Sequence, residues 1–139
     1  MKRDVRLRAL SSDHHHALVL ARYIAAACAR GGMDAEVATL VRERFAAEIT
    51  PHFETEETLL HALAGCGVDE LVQRTRDEHA QMLGLLEATG ATDDSCMCEL
   101  GELLTEHVRF EERELYPACE ERLSADVLER VARGREGER

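Results

Sequence analysis

Two segments of the chain follow one chemical rule. His52-Phe53-Glu54-Thr55-Glu56 and His107-Val108-Arg109-Phe110-Glu111 each place a carboxylate four residues after a histidine. On a helix that spacing stacks the two side chains on one face, with Cβ atoms about 5–6 Å apart, so an imidazole and a carboxylate can reach one metal ion. A further histidine precedes each pair, His14 after Asp13 and His79 after Glu78, and the two halves of the chain therefore echo each other. Imidazole with carboxylate suits iron, manganese or zinc. The expected arrangement is binuclear. Glu56 and Glu111 bridge two ions from opposite sides, His52 and His107 bind terminally, and His14 and His79 complete the set.

Competing roles exist for most of these residues. A lone His on an apolar face is commonly a core residue. A buried Glu, however, costs several kcal/mol unless paired or metal-bound, and no Lys or Arg lies on the apolar stripes to neutralise Glu56 or Glu111. Glu48, one turn before His52, is either an extra ligand or a rim residue, and His15 is an alternative to His14. His16 and His61 read as solvated, and Glu57, Glu112 and Glu114 as outward acidic faces. Tyr23 and Tyr116 are packing residues with hydroxyls that could donate to the site. The Glu-x-x-His spacing of ferritin-like di-metal bundles is absent, as is HExxH.

The elements that must carry these residues read as helices. Ser11, Ser12 and Asp13 offer N-caps to a first helix over about 12–30, with Leu10, His14, Leu18, Ala21, Ala25 and Cys28 on its stripe and Gly31-Gly32 at its end. Residues 1–10 read as an extended arm. A second helix, about 34–64, carries Val41, Phe45, Glu48, His52, Glu56, Leu59 and Leu63 inward, with Pro51 kinking it just before His52. Gly65-Cys66-Gly67 makes the turn. A third helix, about 68–89, has Val72, Thr75, His79, Met82, Leu83 and Leu86 on its stripe. After a turn at Gly90 to Ser95, a fourth, about 95–116, faces Leu100, Leu103, Leu104, His107, Glu111 and Leu115 inward. Pro117 marks a break, a short fifth helix follows over about 124–133, and 134–139 read as a disordered tail. The fold class is all-α, an up-down-up-down four-helix bundle in one domain. At 1.5 Å per residue, His14 and His52 lie roughly 24 and 27 Å above the feet of their helices, and His52 and His79 roughly 17 Å below the tops of theirs. All four helices thus bring a histidine to one level.

Composition agrees. The chain has 139 residues, 45% of them hydrophobic, with two prolines and no tryptophan, which fits a single helical domain. A net charge of −11 argues against nucleic acid or an anionic membrane as partner, and no apolar run approaches the roughly 18 residues that span a bilayer. The expected location is the cytoplasm. Five cysteines, Cys28, Cys66, Cys96, Cys98 and Cys119, show no zinc-type spacing and read as small reduced thiols, with a redox role for Cys96 and Cys98 as the lesser alternative.

The order H…HxxxE…H…HxxxE resembles the hemerythrin-like (HHE cation-binding) family, from Leu10-Ser11-Ser12-Asp13-His14 through His107-Val108-Arg109-Phe110-Glu111-Glu112-Arg113-Glu114-Leu115. The resemblance implies a non-haem di-iron centre, carboxylate-bridged, held by His14, His52, Glu56, His79, His107 and Glu111. Oxygen-carrying members have a further His one turn after the third-helix ligand, where this chain has Leu83. Four imidazoles and two bridging carboxylates leave about four of about twelve coordination places open, which favours oxidation chemistry or sensing over simple carriage. The leading expectation is a di-iron protein that binds or senses O2, peroxide, NO or iron. An oxidoreductase of peroxidase type on the same centre is the alternative, and a metal-free structural bundle a third reading.

Overall fold

The computed structural model describes residues 3–31, 34–88 and 95–137. Among these residues the chain is all-helical, with five helices. A 3-10 turn over Val5–Leu7 leads into α1, Arg8–Ala29. Helix α2 spans 35–63, α3 is Asp69–Ala88, α4 spans 95–122, and α5 is Ala125–Gly137. Helix α1 packs chiefly on α4, and α4 on α3. Gly101 permits the α1–α4 approach, since a Cβ there would lie 2.9 Å from the Ile24 side chain. No helix among the described residues is long and apolar enough to cross a membrane.

The start of α1 corrects the expected arm. Leu7 and Leu10 are buried with Leu128 and Val131 of α5, so the apolar stripe begins before Ser12 and the helix begins with it. Asp4 caps the 3-10 turn that precedes α1, accepting from the Arg6 backbone N–H, and no side chain caps α1 itself. Ser11, Ser12 and Asp13 lie inside the helix and are not its caps. Further along, the buried stripe follows His14, Ala17, Ala21 and Ile24, while Ala25 is exposed. On α3, Leu83 is likewise exposed, and Met82 takes the inward place.

Both prolines sit just after a widened turn. The Thr50 N–H reaches back five residues to the Phe45 carbonyl, and the Tyr116 N–H to the Glu111 carbonyl. Pro51 and Pro117 have no N–H to give, and in a tight α-turn their rings would strike the carbonyl four residues back. A wider turn relieves that clash and keeps the helix going. Pro117 is therefore not a break, and α4 continues to Arg122. The chain turns between α2 and α3 on Gly65 and Gly67, both with positive φ. Of the turn expected at Gly90 to Ser95, 90–94 lie outside the described residues and Ser95 opens α4; the disordered tail expected over 134–139 is corrected by α5, which runs to Gly137, with 138–139 outside the described residues.

The apolar core falls into two clusters. One gathers Ala17, Ile24, Val41, Phe45, Met82 and Leu104, and the other Leu10, Leu59, Leu63, Val72, Leu115 and Tyr116. Between them in sequence, on each of α1 to α4, stand the buried polar residues His14, His52, Glu56, His79, His107 and Glu111.

The expectation of five free thiols is also corrected. Cys28 of α1 and Cys98 of α4 form a disulfide, leaving Cys66, Cys96 and Cys119 free. The bridge closes a separation of 70 residues, for which loop-closure entropy implies up to about 4 kcal/mol of stabilisation. Alkylation under denaturing conditions without reductant should therefore label Cys66, Cys96 and Cys119 but neither Cys28 nor Cys98. Adding reductant should lower the denaturation midpoint. Labelling of all five without reductant would exclude the bridge.

Candidate metal centre

The four imidazoles and two carboxylates converge. His14, His52, Glu56 and Glu111 bring one ligand atom each within 4.8 Å of one another, and so do Glu56, His79, His107 and Glu111. The two groups share both carboxylates, and each carboxylate divides its oxygens between them. Glu111 Oε1 lies 2.8 Å from His14 Nε2 and 3.8 Å from His52 Nε2, while its Oε2 lies 3.1 Å from His107 Nε2 and 3.7 Å from His79 Nε2. Glu56 Oε2 is 3.1 Å from His52 Nε2, and Glu56 Oε1 is 3.1 Å from His79 Nε2. Both carboxylates are fully buried.

These contacts satisfy the layer incompletely. His107 Nε2 and Glu111 Oε2 are buried with no hydrogen-bond partner. Buried polar atoms are nearly always paired, so two orphans facing each other across 3.1 Å mark a place where an ion fits. The donor set, imidazole nitrogen with carboxylate oxygen, is that of a transition-metal site.

The other ring nitrogen fixes three of the four histidines. His52 Nδ1 donates to Asp13 at 2.9 Å, His107 Nδ1 to Glu78 at 2.7 Å, and His14 Nδ1 to Glu112 at 2.7 Å. A proton held on Nδ1 leaves Nε2, which faces the centre, as the free donor atom. The acids are themselves held. Ser11 and Arg3 donate to Glu112, and Arg74 donates to Glu78 while its guanidinium sits 3.9 Å over the Phe110 ring. The fourth imidazole, His79, is stacked on Phe53 with centroids 3.8 Å apart, and among the described residues no carboxylate lies against its Nδ1. Tyr116, also fully buried, stacks on His14. Its hydroxyl donates to Glu56 Oε2 at 2.8 Å and lies 3.2 Å from His14 Nε2.

Of the alternatives, His15, His16 and His61 are exposed, as are Glu57 and Glu114, and Glu48 is half-buried and outside both groups. Glu112 is not part of an outward face, because its carboxylate turns in to His14. The roles of Asp13, Glu78, Glu112 and Phe53 were missed in the sequence. The signal lay in their positions, since each directly precedes or follows a residue of the centre.

Electrostatics follow from this packing. Burial pulls the His14, His52 and His79 pKa values down, but carboxylates around each ring outweigh it and raise them. For His107 the same balance, with Glu111 the leading opponent of burial, gives about 10. Burial pushes Glu111 up, yet the His107 charge, the hydrogen bond from His14 and the nearby His52 imidazole bring it well below the ordinary value. Burial and nearby carboxylates raise Tyr116.

Two predictions follow from these contacts. For the metal-free protein, a histidine with a raised folded pKa contributes stability that is full below its unfolded value near 6.5 and lost as pH rises through the folded value. Denaturation midpoints should therefore fall between pH 7 and 10, the upper end set by His107 at about 10; an unchanged midpoint would contradict the charged-layer account. Second, Glu78→Gln and Glu112→Gln should each weaken zinc binding by about 10–100-fold, while Glu57→Gln leaves it unchanged, as measured by competition with a chromophoric chelator.

A family model, the hemerythrin HHE cation-binding domain, matches residues 5–119. No curated protein and no solved structure gives a match. The matched segment contains every residue of the converged cluster and its orienting carboxylates, and the chain belongs to the hemerythrin HHE cation-binding domain family.

Proposed function

We propose that this is a non-haem di-iron protein that binds or senses a small molecule of the O2, peroxide or NO class. The observation that carries the reading is the division of the Glu56 and Glu111 oxygens between two buried four-residue groups, which is what two carboxylate-bridged ions require. His14 and His52 would serve one ion and His79 and His107 the other. Iron held there supplies one-electron redox chemistry and open coordination places, and manganese or zinc fits the same donors.

The chain's own residues shape what can reach the centre. A cavity of about 10 Å³, room for roughly one water, lies against His14, His52, His107 and Glu111 and is walled by Ala17, Ile49, Phe53, Leu104 and Val108. That size restricts the space beside the centre to about one water-sized molecule, and the apolar wall favours uncharged ones. Leu83, in the place of the extra histidine of oxygen-carrying members, has no donor atom and is exposed, away from the set. The passage of α1 to α4 from one core cluster to the other, in alternating order, supports the up-down-up-down arrangement.

A second reading, a peroxidase-type oxidoreductase, has Tyr116 in its favour. A buried phenol bonded to Glu56 can hold a proton at the centre. Peroxide turnover with an electron donor, lost in Tyr116→Phe with iron content retained, would favour the enzyme over the binder.

Chelator-stripped protein titrated anaerobically with ferrous ion should take up two irons per chain, and air should then produce near-ultraviolet oxo-bridge absorption. Replacing Glu111 by Gln should reduce the stoichiometry to one or none. Uptake of no metal with unchanged melting would overturn the reading.

A further inference from the structure

Two hollows on the α1–α2 seam share one lining residue, Glu48. The outer one is a groove of about 300 Å³ lined by Leu20, Tyr23, Leu40, Arg44 and Glu48, among others. The inner one is the small cavity against His14 and His52, and Glu48 lines it too. The sequence steps along this path. On α2, Leu40, Arg44, Glu48 and His52 follow at four-residue intervals from groove to centre. On α1, Tyr23, Leu20, Ala17 and His14 run back at three-residue intervals, with Ala17 small enough to leave the inner space open.

We propose that Glu48 is the entry filter of the centre, lining both groove and cavity and admitting neutral small molecules while holding back anions. The proposal deepens the metal reading and rests on it. The widened turn over Phe45–Ile49 sends Ile49 into the core and leaves Glu48 half-buried on the seam. Arg44 Nη1 donates to Glu48 Oε1 at 3.3 Å from the solvent side, and both side chains are partly exposed. Such a pair is weak and releases readily, so the Glu48 side chain can swing without disturbing the core. A second carboxylate, Asp13, lines the inner cavity. An anion on this path must shed water between apolar walls and, once past Arg44 at the outer end, meets the carboxylates of Glu48 and Asp13, whereas O2, NO or hydrogen peroxide meets no such repulsion.

The test uses the iron-loaded 139-residue chain, with azide as the anionic probe of the oxidised form and NO as the neutral probe of the reduced form, both followed by stopped-flow absorption. In Glu48→Gln the azide association and dissociation rates should both rise, about tenfold, leaving azide affinity within about twofold, while the NO rates stay within about twofold; Glu48→Lys should raise the azide association rate further. Equal azide rates in wild type and Glu48→Gln, at full iron loading, would overturn the filter and leave the metal reading standing. Loss of iron from Glu48→Gln would make Glu48 a ligand and overturn the filter as well. Failure of wild type itself to load iron would instead overturn the metal reading beneath it.

Discussion

Glu56 and Glu111 are fully buried between two apolar clusters, and the structure depends on how that negative charge is answered. A carboxylate withdrawn from water costs several kcal/mol even after relaxation. Here the answer comes from imidazoles on all four long helices. Each helix gives up a place in its apolar stripe to reach the layer, and none of the four can shift by a turn without taking a histidine away from a carboxylate. The layer therefore fixes the register of the bundle in a way that interchangeable leucines and alanines would not. Its two orphaned atoms, His107 Nε2 and Glu111 Oε2, show that protons and hydrogen bonds alone do not finish the arrangement.

The orienting groups follow a rule that joins neighbouring helices. Asp13 beside His14 holds His52; Phe53 beside His52 stacks on His79; Glu78 beside His79 holds His107; Glu112 beside Glu111 holds His14. A residue next to one member of the centre thus positions a member on another helix, and the circuit closes on itself. One link differs, because His79 is held by a phenyl face where the other three have carboxylates. A carboxylate on Nδ1 makes Nε2 more basic, and among the described residues His79 is the one imidazole of the four without that partner. The halves of the centre are also unequal in their aromatic neighbours, with Tyr116 on the His14 side and Phe53 on the His79 side.

Much of this was legible in the sequence, for a specific reason. The HxxxE spacing is a helical spacing, so motif and secondary structure were read from the same residues, and the glycines at 31, 65 and 67 marked ends that local chemistry alone dictates. The misreadings fell where tertiary contact overrides local preference. Ser11, Ser12 and Asp13 look like caps, but Leu7 and Leu10 find a partner in α5 and carry the helix past them. Glu112 sits in a run of acids, and only the proximity of α1 turns it inward. The Cys28–Cys98 bridge joins residues whose nearness depends on how α1 packs on α4, which no spacing reveals.

The prolines show how a feature read as an interruption can be part of the positioning. An α-helix places residues at i+3 and i+4 on one face, so after Glu111 it would present Glu114 and Leu115 together. With five residues in the turn, Glu114 is left exposed while Leu115 and Tyr116 both turn inward, and the Tyr116 hydroxyl arrives at Glu56 on the opposite helix. The turn before Pro51 has the same form and a comparable effect, since Ile49 goes into the core and Glu48 is left on the seam next to the cavity. Pro51 and Pro117 favour the wide turn, because the narrow one would require an N–H they lack and a space their rings occupy. A tyrosine at the centre and a carboxylate on the seam beside it are thus both placed by a covalent constraint lying one residue further along the chain for Tyr116 and three for Glu48.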